Sequence, residues 1–137
     1  MQTLIVEDDE LTSMLFKSFL TGYGKCDLAP NGTSGMEHFS KAHDESLKYD
    51  LICLDLMMPD INGIDLLGMI RQWEEEHSIS EPDRCKIVMT TAISEDSVIK
   101  QAYDAKCDAY LIKPIKRMDL LNTIAELGLI EPPTPKR

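Results

Sequence analysis

Five short apolar runs divide the chain of 137 residues, and none of them alternates apolar with polar. They are Thr3-Leu4-Ile5-Val6, the weaker Cys26 to Ala29, Leu51-Ile52-Cys53-Leu54, Lys86 to Met89, and Ala109 to Ile112. A strand that is apolar throughout needs cover on both faces, the condition of a parallel sheet between two helical layers. The intervening stretches supply those helices. Leu11, Met14, Leu15 and Phe19 recur at helical spacing, and Asn31-Gly32-Thr33 can cap a second helix through Met36 and Phe39. Ile64, Leu67, Ile70 and Trp73 mark a third, with Glu74 to Glu76 on its wet end. Ser94 is placed to cap a fourth through Val98, Ile99 and Ala102, and Arg117 to Leu127 reads as a fifth, ended by Gly128. The pattern predicts an α/β domain of five βα units with right-handed crossovers.

Composition narrows the function. A net charge of -10 argues against a general nucleic-acid surface, which needs Lys and Arg to neutralise phosphates, and against docking on anionic lipid. No apolar stretch approaches the roughly 20 residues of a membrane helix, and the first run meets acids at once, unlike a signal peptide. A cytoplasmic location is expected. Cys26, Cys53, Cys85 and Cys107 are widely spaced, form no CxxC and lie near no histidine. They read as reduced thiols, with Cys53 and Cys85 in the core. His38, His43 and His77 read as solvating helical or loop faces.

Parallel strands bring all their C-terminal ends to one edge, where open α/β sheets place their chemistry. There the first run delivers Glu7-Asp8-Asp9, the third Asp55, the fourth Thr90-Thr91-Ala92 and the fifth Lys113-Pro114. Clustered carboxylates repel, so without a cation at least one holds a proton. Oxygen-only ligands select Mg²⁺ or Mn²⁺. With a metal and a lysine beside it, Asp55 stays ionised and can attack a phosphoryl group, while Lys113 and Thr91 serve the phosphoryl oxygens. Thr90 competes with Thr91 for that hydroxyl role, and Asp9 is a rival third acid.

The set Leu4-Ile5-Val6-Glu7-Asp8-Asp9, Leu54-Asp55-Leu56-Met57-Met58-Pro59, Thr91-Ala92 and Lys113-Pro114 resembles a response-regulator receiver domain of the CheY type. The resemblance covers residues 2–128 and leaves 129–137 as a Pro-rich tail, of which Glu131 to Arg137 are expected to fray. It implies a flavodoxin-like doubly wound five-stranded parallel sheet, order 2-1-3-4-5, with five helices. By it, Asp55 is the phosphoacceptor. Glu7, Asp8, Asp55 and the Met57 carbonyl hold Mg²⁺. Thr91 and Tyr110 form the switch, Ala92 leaves room for the phosphoryl group, and the Lys113–Pro114 bond is cis.

It further implies a regulator that modifies only itself, not an enzyme with an external substrate. Its partners would be a histidine kinase or histidine phosphotransfer protein and a downstream target protein, with no nucleic acid or membrane, as a monomer or weak dimer. A haloacid-dehalogenase-type phosphatase would need a second Asp where Met57 stands. A phosphorylation-independent module would normally have lost Asp55 or Lys113. Two departures stand out: Ala105-Lys106-Cys107 replaces the usual Ala-Gly-Ala, which asks Lys106 for a left-handed backbone, and the connector Glu74 to Arg84 is long. By the resemblance, Met57 and Ile93 stand at the positions that flank an attacking water, and two apolar residues there predict slow loss of the phosphoryl group.

Overall fold

The computed structural model describes residues 1–133. Its strands are β1 (Thr3–Val6), β2 (Cys26–Ala29), β3 (Leu51–Leu54), β4 (Lys86–Thr91) and β5 (Ala109–Ile112). Its helices are α1 (Glu10–Leu20), α2 (Gly32–Asp44), α3 (Gly63–Glu76), α4 (Asp96–Asp104) and α5 (Arg117–Glu126). The strands form one parallel sheet in the order β2-β1-β3-β4-β5. This is the doubly wound arrangement expected, and its order reverses beside β1 and β3.

Side chains alternate across the sheet and build two cores. Leu4, Val6, Ile52, Leu54, Ile87 and Met89 pack against Phe39 of α2, Leu66, Leu67 and Ile70 of α3 and Ala102 of α4. Ile5, Leu51, Cys53 and Val88 face Phe16 and Leu20 of α1 and Leu120, Leu121 and Ile124 of α5. All four cysteines are free and buried, as expected of reduced thiols. Asn31 caps α2 and Asn62 caps α3, each accepting from a backbone N–H three residues on. Gly128 takes φ +80 after α5, and Leu129 and Ile130 continue onto the core. The part of the expected frayed tail at 134–137 lies outside the described residues.

Four local expectations need correction. The α1 stripe points the wrong way: Ser13, Phe16 and Leu20 are buried, whereas Leu11, Met14 and Leu15 are 78%, 55% and 47% exposed. Helical spacing gives a face but not its direction, and Phe16 outcompetes the smaller stripe for the core. Ser94 does not cap α4; the N-cap is Glu95, without a side-chain bond. His43 does not merely solvate a face: its ring lies 4.5 Å from that of Trp73. Burial pulls the His43 imidazole below its ordinary pKa.

Glu74, assigned to the wet end of α3, is 1% exposed. Its Oε2 accepts from the Cys85 N–H at 3.0 Å and its Oε1 from Arg71 Nη1 at 2.8 Å. Arg71 also donates to the Cys85 carbonyl at 2.8 Å, the Lys106 carbonyl at 3.0 Å and Asp108 Oδ2 at 2.8 Å. Asp108 Oδ2 accepts from the Ile87 N–H at 2.8 Å. One guanidinium thus ties α3 to the starts of β4 and β5 and holds the turn where Lys106 takes the left-handed backbone, φ 74. Replacing Arg71 with Met leaves the Glu74 carboxylate buried without its counter-charge. Arg71→Met is expected to cost about 3–5 kcal/mol, read from urea unfolding midpoints.

Candidate functional site

The sheet continues its hydrogen bonding past the strand ends and so places the site residues. The Glu7 N–H donates to the Ala29 carbonyl at 3.0 Å, Asp55 to Val6 at 3.0 Å and Lys113 to Thr91 at 2.8 Å. Alternation then puts Glu7 and Asp55 on the α1/α5 side, above Ile5 and Cys53, and both are buried. Carboxylate oxygens of Glu7, Asp8 and Asp55 lie within 4.8 Å of one another. Lys113 Nζ donates to Glu7 Oε1 and stands 3.5 Å from Asp55 Oδ2. The Lys113–Pro114 bond is cis, as the resemblance implied.

Burial drives the Glu7 carboxyl up to about 7, helped by the Asp55 charge and opposed by Lys113 and the Asp9 N–H. Glu7 is therefore the acid that keeps a proton when no cation balances the cluster. Asp9, the rival acid, is spent elsewhere: its carboxylate caps α1 by accepting from the N–H and hydroxyl of Thr12. Those bonds hold it below the usual carboxylate range. Ligands that are all oxygen suit a hard divalent ion, so the acids present fit Mg²⁺.

The loop after Asp55 is pinned at two points. The Gly63 N–H donates to the Leu56 carbonyl at 2.8 Å, and a Cβ at Gly63 would meet Leu56 Cα at 2.7 Å. Asp60 reaches across to cap α2, accepting from the N–H groups of Gly32 at 2.9 Å and Thr33 at 2.8 Å and from the Thr33 hydroxyl at 2.6 Å. These bonds depress the Asp60 carboxyl strongly. Sequence reading missed Asp60, because its partners lie 27 and 28 residues earlier. The loop carries Met57 beside the site, with its side chain 63% exposed and its N–H 3.4 Å from Asp55 Oδ1.

Thr91 and Tyr110 stand apart from this cluster. Thr91 follows Met89 onto the α4 side and is fully buried, its Oγ1 accepting from the Ile93 N–H at 3.4 Å. The Tyr110 hydroxyl donates to the Ile93 carbonyl at 2.7 Å. The two expected switch residues thus converge on Ile93, and among the described residues neither side chain bonds to Asp55 or Lys113. Thr90, the other candidate hydroxyl, lies on the Asp55 side, buried and without a hydrogen-bond partner.

Residues 3–125 match the family model described as the response regulator receiver domain. The chain belongs to the receiver domain family. A two-component response regulator from Clostridium difficile is 30% identical, with a TM-score of 0.75 over 93% of this chain and 94% of that one. Response regulator protein VraR from Staphylococcus aureus is 29% identical over 90% of this chain, which spans 54% of its length. The CheY of a CheX-CheY-BeF3-Mg²⁺ complex from Borrelia burgdorferi is 20% identical and shares the fold, with a TM-score of 0.81 over 93% of this chain and 88% of that one. Receiver domains act in phosphorylation-based two-component signalling as phosphoacceptor regulators and engage histidine kinases and downstream effectors. Among the described residues no helix is long and apolar enough to cross a membrane.

The Glu7 protonation has a measurable consequence. Its folded value, about 7, lies above the ordinary 4.5. The stability it contributes is full below the unfolded value and is lost as pH rises through the folded one. In chelator, the urea midpoint of the wild type is expected to fall between about pH 5 and about pH 8, and Glu7→Gln is expected to flatten that fall.

Proposed function

We propose that Asp55 accepts a phosphoryl group from a phosphohistidine, and that the aspartyl phosphate biases a conformational equilibrium read by a partner protein. One observation carries this: Asp55 is a buried carboxylate with a lysine ammonium 3.5 Å from one oxygen and two further acids alongside. An Asp55 oxygen attacks phosphorus, the P–O bond forms as the P–N bond breaks, and the departing imidazole takes a proton. Lys113 pairs with the transferred oxygens and offsets their charge. Thr91 turns about χ1 to donate to another, leaving Ala92 as the small neighbour that makes room. Tyr110 follows inward, altering the face of α4, β5 and α5. Glu7, Asp8, Asp55 and the Met57 carbonyl are the residues that would hold Mg²⁺, whose charge offsets that of the phosphoryl group.

The phosphodonor is a histidine kinase or histidine phosphotransfer protein. An apolar groove of about 410 Å³ is lined by Thr12, Leu15, Phe16, Lys113, Pro114 and Ile115, and Leu11 and Met14 of the same helix are exposed. That surface, at the lip of the site, suits a partner helix presenting its phosphohistidine. The receiver unit is residues 2–128, with 129–137 as a tail. It works in the cytoplasm as a monomer or weak dimer, without nucleic acid, as the net charge of -10 favours, and without catalysis on an external substrate.

Acetyl phosphate with Mg²⁺ is expected to give one hydroxylamine-labile phosphoryl adduct, absent in Asp55→Asn and abolished by chelator. A well-folded wild type that takes no adduct would refute the reading. Met57 and Ile93 exclude the water that would hydrolyse the adduct. Replacing both with polar residues is expected to shorten its half-life severalfold, measured as phosphate release; equal half-lives would show that these side chains do not guard it.

A further inference from the structure

The β3–β4 register pairs Leu54 with Met89, so one step on Asp55 lies beside Thr90, while β4–β5 pairs Thr90 with Leu111. Thr90 falls on the face of Val88, Cys53 and Ile5, the side of Asp55 and Glu7, and is 1% exposed. Its hydroxyl has no partner, although buried polar groups are nearly always hydrogen-bonded. Lys113 extends from the end of β5 yet bonds to Glu7 at the end of β1. With strands about 4.8 Å apart, the ends of β5 and β1 lie about 14 Å apart, so the lysine and glutamate side chains each cover part of that gap and meet over the ends of β4 and β3. The lysine side chain therefore runs over the end of β4, the strand of Thr90, and its ammonium is held by Glu7 and Asp55. A buried hydroxyl without a partner is costly at rest, and a cation shifted toward β5 would relieve it.

We propose that Thr90 is a positioning residue for Lys113: when a phosphoryl group occupies Asp55, the ammonium leaves Glu7 and donates to Thr90 Oγ1 as well as to a phosphoryl oxygen. A divalent cation held by Glu7 and Asp8 would claim the Glu7 oxygens and repel the ammonium toward β5. Lys113 has three protons to place, and Thr90 Oγ1 is the buried free acceptor along that path. This rests on the reading of Asp55 as phosphoacceptor. It gives the two threonines separate tasks: Thr91 on the α4 side moves with Tyr110, and Thr90 on the α1/α5 side fixes the lysine.

The test compares wild type, Thr90→Val and Thr90→Ser in the full chain, by thermal midpoint with and without beryllofluoride and Mg²⁺ and by calorimetric titration of beryllofluoride. Without the mimic, Thr90→Val is expected to melt at or above the wild-type temperature, since it removes a hydroxyl that bonds nothing. Its affinity for the mimic is expected to be about ten- to hundredfold weaker, the scale of one hydrogen bond to a charged group. Thr90→Ser, which keeps the hydroxyl, is expected to restore affinity. Unchanged affinity in Thr90→Val, or equal loss of stability with and without the mimic, would overturn the role of Thr90 alone. A wild type that does not bind beryllofluoride would overturn the phosphoacceptor reading and this role with it.

Discussion

Glu7 and Asp55 can share one buried sheet edge because the Lys113 ammonium meets both. The ammonium bonds to Glu7 and stands 3.5 Å from Asp55, spanning from β5 to β1. Without it, burial and the neighbouring Asp55 charge would push the Glu7 carboxyl higher still. Even with it, Glu7 is pushed up to about 7. The acids are therefore under-neutralised at rest, a charge balance that suits a divalent ion. Under the proposed phosphoacceptor reading, the same ammonium would be the counter-charge of the phosphoryl group, so one side chain would serve both arrangements.

That reach is useful only if the strand ends keep their spacing, and two polar anchors see to it from opposite edges of the sheet. At the C-terminal edge, Asp60 accepts from Gly32 and Thr33 and fixes the loop that carries Met57. At the N-terminal edge, Arg71 gathers Glu74, Cys85, Lys106 and Asp108 and so joins α3 to the starts of β4 and β5. The second anchor also accounts for Lys106, whose left-handed backbone is unfavourable for a residue with a Cβ. Its carbonyl is held by Arg71 Nε, so the turn keeps its shape without glycine.

The errors in reading the chain share one cause. The α1 stripe of Leu11, Met14, Leu15 and Phe19 has helical period, yet Phe16 and Leu20 take the core, and three of the four stripe residues face water or a partner. Glu74 belongs to a run of three acids that looks solvated, yet it is buried because Arg71 and the Cys85 N–H lie opposite. Asp60 looks like part of a turn and serves as the cap of a helix that precedes it by 27 residues. In each case packing against the rest of the fold decides, and for Glu74 and Asp60 a partner lies 11 to 28 residues away, beyond any local pattern.

Local order along the chain by itself determined the fold class, the parallel sheet and the residues that arrive at its C-terminal edge. Strand runs, caps and turns are short-range, and parallel strands leave no choice about which end carries Glu7, Asp55 and Lys113. Tertiary structure alone decided which side of the sheet each hydroxyl takes relative to the site. Thr90 and Thr91 are adjacent and chemically alike, but the pleat sends one toward Asp55 and the other toward Tyr110. That assignment depends on register between strands some 35 residues apart, from Asp55 to Thr90, and only the packed sheet sets it.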